Sequence, residues 1–315
     1  MVERKKIMSE LMKEQGFGVE VEFTGITRRA AANVIAGRLN SRASAPECGC
    51  YHTQKIIDEA GRTWRIMRDS SIRATTTSGG YADDEYRCEM VTPVLNYDDI
   101  ELLQNVIRDL YKAGARSNDS CGIHVHVDAS LQTPASIRRM VKFFVGRQDL
   151  IYEALQVGER ANRWCHPMSK IFLSALESES DLTDTDLERI WYSSANDDYT
   201  GGIDHYHYNS TRYHGLNLHS LFTGKGIEFR LFNGTLHAGK IKAYIQFCLA
   251  VMAWAVDAKD SMKYRNTNGY TAQMKVTLMK NVLTSRLGLT GPEFKTCRLW
   301  MLDGLKKEAE AAEAA

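Results

Sequence analysis

Glu20 and Glu22 stand one strand-step apart in the run Gly16-Phe-Gly-Val-Glu-Val-Glu-Phe-Thr24. Successive strand side chains alternate, so these two carboxylates share a face while Val19, Val21 and Phe23 take the other. Like charges so placed repel, and a hard divalent cation with oxygen ligands is their natural partner. Alone, the pair also reads as the solvated acidic face of an amphipathic strand. Three later runs change the weighing. Glu85 to Thr92 puts Glu85, Arg87 and Glu89 on one face, Cys121 to Asp128 puts His124 beside His126, and Gly226 to Phe232 puts Glu228 beside Arg230. A solvated sheet face would mix in Thr, Lys and Ser. Carboxylate, imidazole and guanidinium together are metal ligands and phosphate clamps.

Other candidates are weighed the same way. Cys48-Gly-Cys50-Tyr-His52 lacks the second ligand pair of a structural zinc site. Asp69-Ser-Ser is ordinary turn chemistry when read alone. Cys121 reads as a small residue at a strand start rather than a nucleophile. Arg160 and Arg163, with Trp164 beside them, are either the end of a surface helix or contacts for a nucleotide. His205 and His207 read as solvated. A Gly-x-x-x-x-Gly-Lys-Ser/Thr loop is absent, so any phosphate must be held by metals and side chains.

A helix is expected over Ile26 to Arg42, capped by Thr24 or Thr27. Strands over Tyr51 to Ile57 and Arg62 to Arg68 flank a turn ending at Gly61. Helical spacing of Ile100, Leu103, Ile107 and Leu110 follows Asn96, and Gly114 ends it. Thr133-Pro134 opens a helix to about Val157, interrupted at Gly146. A further helix spans Thr185 to Ser194. Asn196 to Arg212 has the composition of a mobile loop, with Gly201-Gly202 as hinge. Tyr213 to Leu221 pairs with Gly226 to Phe232. An apolar helix runs over His237 to Val256, then helices over Tyr270 to Leu287 and Pro292 to Lys307, and a frayed, helix-prone tail over Glu308 to Ala315.

The chain has 315 residues, 43% apolar and 25% charged, with a net charge of +1. Such a balance gives no electrostatic case for nucleic acid or an acidic membrane. Ala243 to Val256 is short for a bilayer span and contains Gln246, so no membrane partner is expected. Seven cysteines without a framework fit a reducing cytoplasm.

Six segments then occur in order: Gly18-Val-Glu20-Val-Glu22-Phe, Asp69-Ser-Ser-Ile, Glu89-Met-Val-Thr-Pro93, Cys121-Gly-Ile-His124-Val-His126, Arg212-Tyr-His-Gly-Leu-Asn217-Leu and Ile227-Glu228-Phe-Arg230-Leu-Phe-Asn-Gly-Thr235-Leu. Together they resemble the amidoligase family, which is similar to the carboxylate–amine ligases that include glutamine synthetase and glutamate–cysteine ligase. The resemblance covers roughly Phe17 to Leu249. It implies an α+β fold: a glutamine-synthetase-like catalytic domain over residues 1–260, with a curved, mainly antiparallel sheet flanked by helices, and a C-terminal helical extension over 261–315. ATP and two or three Mg²⁺ or Mn²⁺ would lie on the concave face. Glu20, His124 and Glu228 would hold the metal nearer the phosphates, and Glu22 and Glu89 the metal nearer the amino-acid side. His126, Arg230 and Arg212 would meet phosphate oxygens and act in catalysis, with Arg160 and Arg163 as further nucleotide contacts. The carboxylate that follows Glu89 in glutamine synthetase has no match in Pro93-Val-Leu-Asn, so Asp69 or water would complete that metal. No counterpart of an ammonium site is found.

The implied reaction joins a carboxylate to an amine at the cost of ATP, through an acyl phosphate. Its substrates would be small molecules, peptides or proteins bearing a free carboxylate and an amine; the motifs set no oligomeric state. Rival readings are a kinase on the same scaffold and a pseudoenzyme that binds nucleotide or peptide without turnover.

Overall fold

The structure is a computed structural model that describes residues 2–196, 202–258, 267 and 269–314. Strands are β1 (Phe17–Phe23), β2 (Gln54–Ile57), β3 (Thr63–Met67), β4 (Cys88–Val91), β5 (Gly122–Val127), β6 (Leu216–Asn217) and β7 (Ile227–Asn233). The helices before β6 are α1 (Val2–Glu14), α2 (Arg28–Arg38), α3 (Ile100–Lys112), α4 (Pro134–Val145), α5 (Gln148–Leu155), α6 (Lys170–Ser178) and α7 (Asp184–Ser194). After it come α8 (His219–Phe222), α9 (Ala238–Asp257), α10 (Ala272–Asn281), α11 (Lys295–Trp300) and α12 (Asp303–Ala314). Seven strands are hydrogen-bonded in the order β2-β3-β4-β1-β5-β7-β6, and the pairs β1·β4, β2·β3, β3·β4 and β6·β7 are antiparallel. With the helices this makes an α+β fold.

The chain divides into two compact units. The first comprises Gly16–Val125 and Phe232–Ile245; the second comprises Met1–Gln15, His126–Leu231 and Gln246–Ala315. Strands β5 and β7 and helix α9 each contribute residues to both.

In the first unit the alternation of β1 is realised: Val19, Val21 and Phe23 are buried. Helix α2 starts behind Thr27, whose hydroxyl accepts from the Ala30 amide, and packs on β2, β3 and α3. Ile35 from α2, Trp64 and Ile66 from β3, and Val106 and Ile107 from α3 are buried there. The β2–β3 turn closes as expected, with Gly61 at φ +77 in the left-handed region that favours glycine.

Strand β4 is shorter than the pattern suggests. Asp83 caps a 3-10 turn, Asp84–Tyr86, through the Glu85 amide, so Glu85 and Arg87 leave the strand face and Glu89 stays on it.

In the second unit Thr133 caps α4 on the Ser136 amide, and the helix breaks at Gly146 as expected. The predicted strand from Tyr213 is reduced to Leu216–Asn217, because the chain turns into α8 at once. Gly226, at φ +71, then lies so close to the Val127 carbonyl that no Cβ fits. Helix α1 was not expected. Its Met8 and Met12, one turn apart, are buried, and Gln15 donates to the carbonyls of Leu11 and Leu249. The helix-prone C-terminal tail is helical to Ala314 as part of α12, which buries Leu305 and Ala309 and packs on α5 and α10. Helix α9, with 20 residues, is long and apolar enough to cross a membrane by length and composition, but 78% of its apolar window is buried. It is a core helix, as its fully buried Gln246 also indicates.

Candidate active site: a carboxylate–imidazole cluster and a guanidinium set

The first unit builds its polar cluster from three neighbouring strands and a loop. The β1·β4 register sets Glu22 opposite Glu89, with Glu20 two residues back on the same face. Met67 pairs with Glu89 from the other side, and the chain leaving β3 brings Asp69 to the same place. On the far side of β1, strand β5 supplies His124. Its Nδ1 lies 2.8 Å from Glu20 Oε2, and its Nε2 lies 3.8 Å from Glu22 Oε1. The backbone amide of Gly122 donates to Glu22 Oε2 at 2.6 Å. Glu22 and His124 are buried, and Glu20 is partly open.

This arrangement fits a divalent metal on the chemistry of its donors. Glu20, Glu89 and His124 offer one ligand atom each, all within 4.8 Å of one another. Glu22, Asp69 and Glu89 form a second such group, all oxygen. Carboxylate oxygens with one imidazole suit a hard divalent cation rather than a thiophilic ion. Asp69 is a turn residue as well: Oδ1 accepts from the Ser71 amide at 2.6 Å. Cys48 and Cys50 are exposed free thiols and belong to neither group. Cys121 is buried at the start of β5, where its carbonyl accepts from Gly234.

The second unit carries the guanidinium set. On β7, Glu228 and Arg230 share a face as predicted, both buried, with Arg230 Nη1 2.5 Å from Glu228 Oε1. The β6·β7 register places Asn217 opposite Glu228, and Asn217 Nδ2 donates to Glu228 Oε2 at 2.7 Å. His126 Nε2 lies 3.8 Å from Glu228 Oε1. Its Nδ1 is 3.2 Å from the Lys225 carbonyl and 3.3 Å from Ser220 Oγ. A carbonyl can only accept, so in that contact His126 donates from Nδ1.

Arginines and aromatic rings surround this group. Arg230 Nε donates to the Trp164 carbonyl at 3.5 Å. Trp164 and Tyr213 meet edge to face, 5.8 Å between centroids. The guanidiniums of Arg212 and Arg230 lie 5.6 Å and 5.9 Å from the Tyr213 ring. Arg212 also donates to the His207 carbonyl at 3.0 Å. Arg160 is buried, with Nη2 3.5 Å from the Arg230 carbonyl, so it is no surface helix end. Arg163 is exposed and stacks on Trp164. Nearby, burial pushes the Cys165 thiol up, partly opposed by the charges of Arg160 and Arg230.

Asn217, Ser220 and Tyr213 carry no charge or spacing in the sequence that marks them for this group. Asn217 was visible as a polar residue in a strand run, but its pairing with Glu228 needed the hairpin register. Of the expected hinged loop, residues 197–201, including Gly201, lie outside the described residues. His205, in its described remainder, is 2.5 Å from Glu188 Oε1 rather than solvated alone.

A family model described as "Putative amidoligase enzyme" matches residues 13–252, a span that contains every residue named in both groups. No curated protein matches the chain. Among solved structures, a bifunctional glutathione synthetase from Pasteurella multocida is similar at 13% identity and a TM-score of 0.42, over 99% of this chain and 52% of that one. The chain therefore spans about half the length of that enzyme. With the family match extending over most of its length, this chain belongs to the amidoligase family of amide-forming ligases.

Proposed function

We propose that this chain is an ATP-dependent carboxylate–amine ligase of the glutamine-synthetase-like type, with the substrate carboxyl activated as an acyl phosphate. The observation that carries the reading is the carboxylate–imidazole cluster of the first unit, whose two donor triplets, Glu20 with Glu89 and His124 and Glu22 with Asp69 and Glu89, each keep their ligand atoms within 4.8 Å of one another inside the family's matched span.

In this reading Glu20, Glu22, Glu89 and His124, with Asp69, would hold Mg²⁺ or Mn²⁺, and Glu228 would also be a metal ligand. A divalent ion there would supply charge neutralisation for a phosphoryl group. Arg230, Arg212 and Arg160 offer planar donor forks for phosphate oxygens, and Arg163 an exposed one. His126 is the imidazole of this group that can take the proton that the attacking amine loses. The γ-phosphoryl passes to a carboxylate oxygen and ADP leaves. The amine nitrogen then bonds to the acyl carbon as the C–O bond to phosphate breaks, giving amide, inorganic phosphate and one proton. The substrates are amino acids, peptides or proteins, and a cytoplasmic setting suits seven free cysteines.

The test is phosphate release from ATP with a panel of carboxylate substrates, each with and without amines. Release that requires both is expected. A phosphorylated product accumulating without an amine would make the protein a kinase, and no release with any pair would leave a binding protein.

A further inference from the structure

A cavity in the second unit shares no residue with either group above. It has a volume of about 360 Å³ and is lined by Arg147, Leu278, Asn281, Val282, Ser285 and Arg286. Sites for small ligands start near this size.

Its wall has a defined origin. Leu278, Asn281, Val282, Ser285 and Arg286 recur at the three- and four-residue spacing of one helix face. After α10 the helix widens into a π turn, Val282–Arg286, closed by the Leu287 amide on the Val282 carbonyl at 2.9 Å. A π turn costs helix stability and occurs often at functional sites. Here it contributes Val282, Ser285 and Arg286 to the cavity wall. Opposite them is Arg147, in the break between α4 and α5 and only 7% exposed. Its guanidinium lies 5.3 Å from the Phe143 ring centroid, which fixes the plane of the fork. Among the described residues, two guanidiniums, one amide side chain and one hydroxyl line the cavity.

We propose that this cavity binds a small oxyanion, a carboxylate or phosphate, between the forks of Arg147 and Arg286, with Asn281 and Ser285 as hydrogen-bonding partners. Arginine forks match planar carboxylate and phosphate oxygens in pairs, which lysine does not. Leu278 and Val282 leave room for a short apolar stem on the ligand. This site belongs to the π turn and does not depend on the ligase reading.

Calorimetric titration of the full chain in metal-free chloride buffer tests it, with inorganic phosphate in one arm and succinate in the other. Saturable binding of at least one is expected. Arg286→Gln, at an exposed position that the fold does not need, should weaken it tenfold or more, and Arg147→Lys should weaken it while keeping the charge. Arg230→Lys should leave the Arg286-dependent part of the signal unchanged. The proposal is overturned if neither anion binds, if Arg286→Gln binds as tightly as the parent, or if Arg230→Lys alone abolishes the signal.

Discussion

Arg230 shows most sharply how a residue's surroundings decide its role. An exposed Glu–Arg pair on a strand contributes about 0–1 kcal/mol. This pair is buried, with 6% and 4% of the two side chains exposed, so neither charge can be removed cheaply. Arg230→Lys keeps a cation beside Glu228 but loses the fork and the contact with the Trp164 carbonyl. Near-native melting temperature is expected, with phosphoryl transfer down roughly 100-fold, the scale of losing one preorganised donor. ATP turnover within a few-fold of the parent would make Arg230 structural. Glu228→Ala is a different experiment. It strands a buried guanidinium, at a cost of about 3–5 kcal/mol, so lost activity would come with a lower melting temperature. Glu20, whose side chain is 25% exposed, is the cleaner probe of the metal. Glu20→Gln should keep the fold and weaken Mn²⁺ binding, followed by electron paramagnetic resonance, about tenfold or more; unchanged Mn²⁺ affinity would place the ion elsewhere.

At the scale of elements, the β2–β3 hairpin is tied to the start of α3 by one arginine. Arg62 donates to Asp58 at 2.9 Å and, with both terminal nitrogens, to Asp99 at 2.6 and 3.1 Å. Burial pulls the Asp58 carboxyl up, but hydrogen bonds from the Trp64 indole and from Arg62 together hold it below the usual range. Arg62 holds Asp99 low in the same way. A folded-state pKa below the unfolded value stabilises fully above the unfolded pKa of about 3.9, and that stabilisation is lost as pH falls through the folded value. Melting temperature should therefore fall as pH drops below about 4, and Arg62→Met should lower it at neutral pH and flatten that acid limb. An unchanged acid limb in Arg62→Met would show that the clamp does not contribute.

Elements that announce themselves by period or by cap were legible in the sequence. The alternation of β1, the pairing of His124 with His126 on β5, and the caps Thr27 and Thr133 all depend on near neighbours. What escaped depends on residues far along the chain. Helix α1 begins in a charged run, and Met8 and Met12 form a face only because the second unit covers them. Strand β4 loses its first residues to a cap at Asp83 that no period signals. Arg160 could be read as a surface helix end or as a nucleotide contact, because a side chain's burial is set by distant partners, here the backbone of Arg230.

For the molecule as a whole, the family match and the two polar groups together lead to amide formation, and the reaction has one signature that neither a kinase nor a binding protein can give. Joining a carboxylate to an amine loses one water from their summed mass. The most direct measurement is mass spectrometry of reactions containing the protein, ATP, Mg²⁺ and a mixed panel of amino acids and peptides. The account predicts a new species at the summed mass of two substrates minus one water, absent without ATP and absent with Glu20→Gln. A panel that yields only phosphorylated substrates, or a condensation product that forms without ATP, would contradict it.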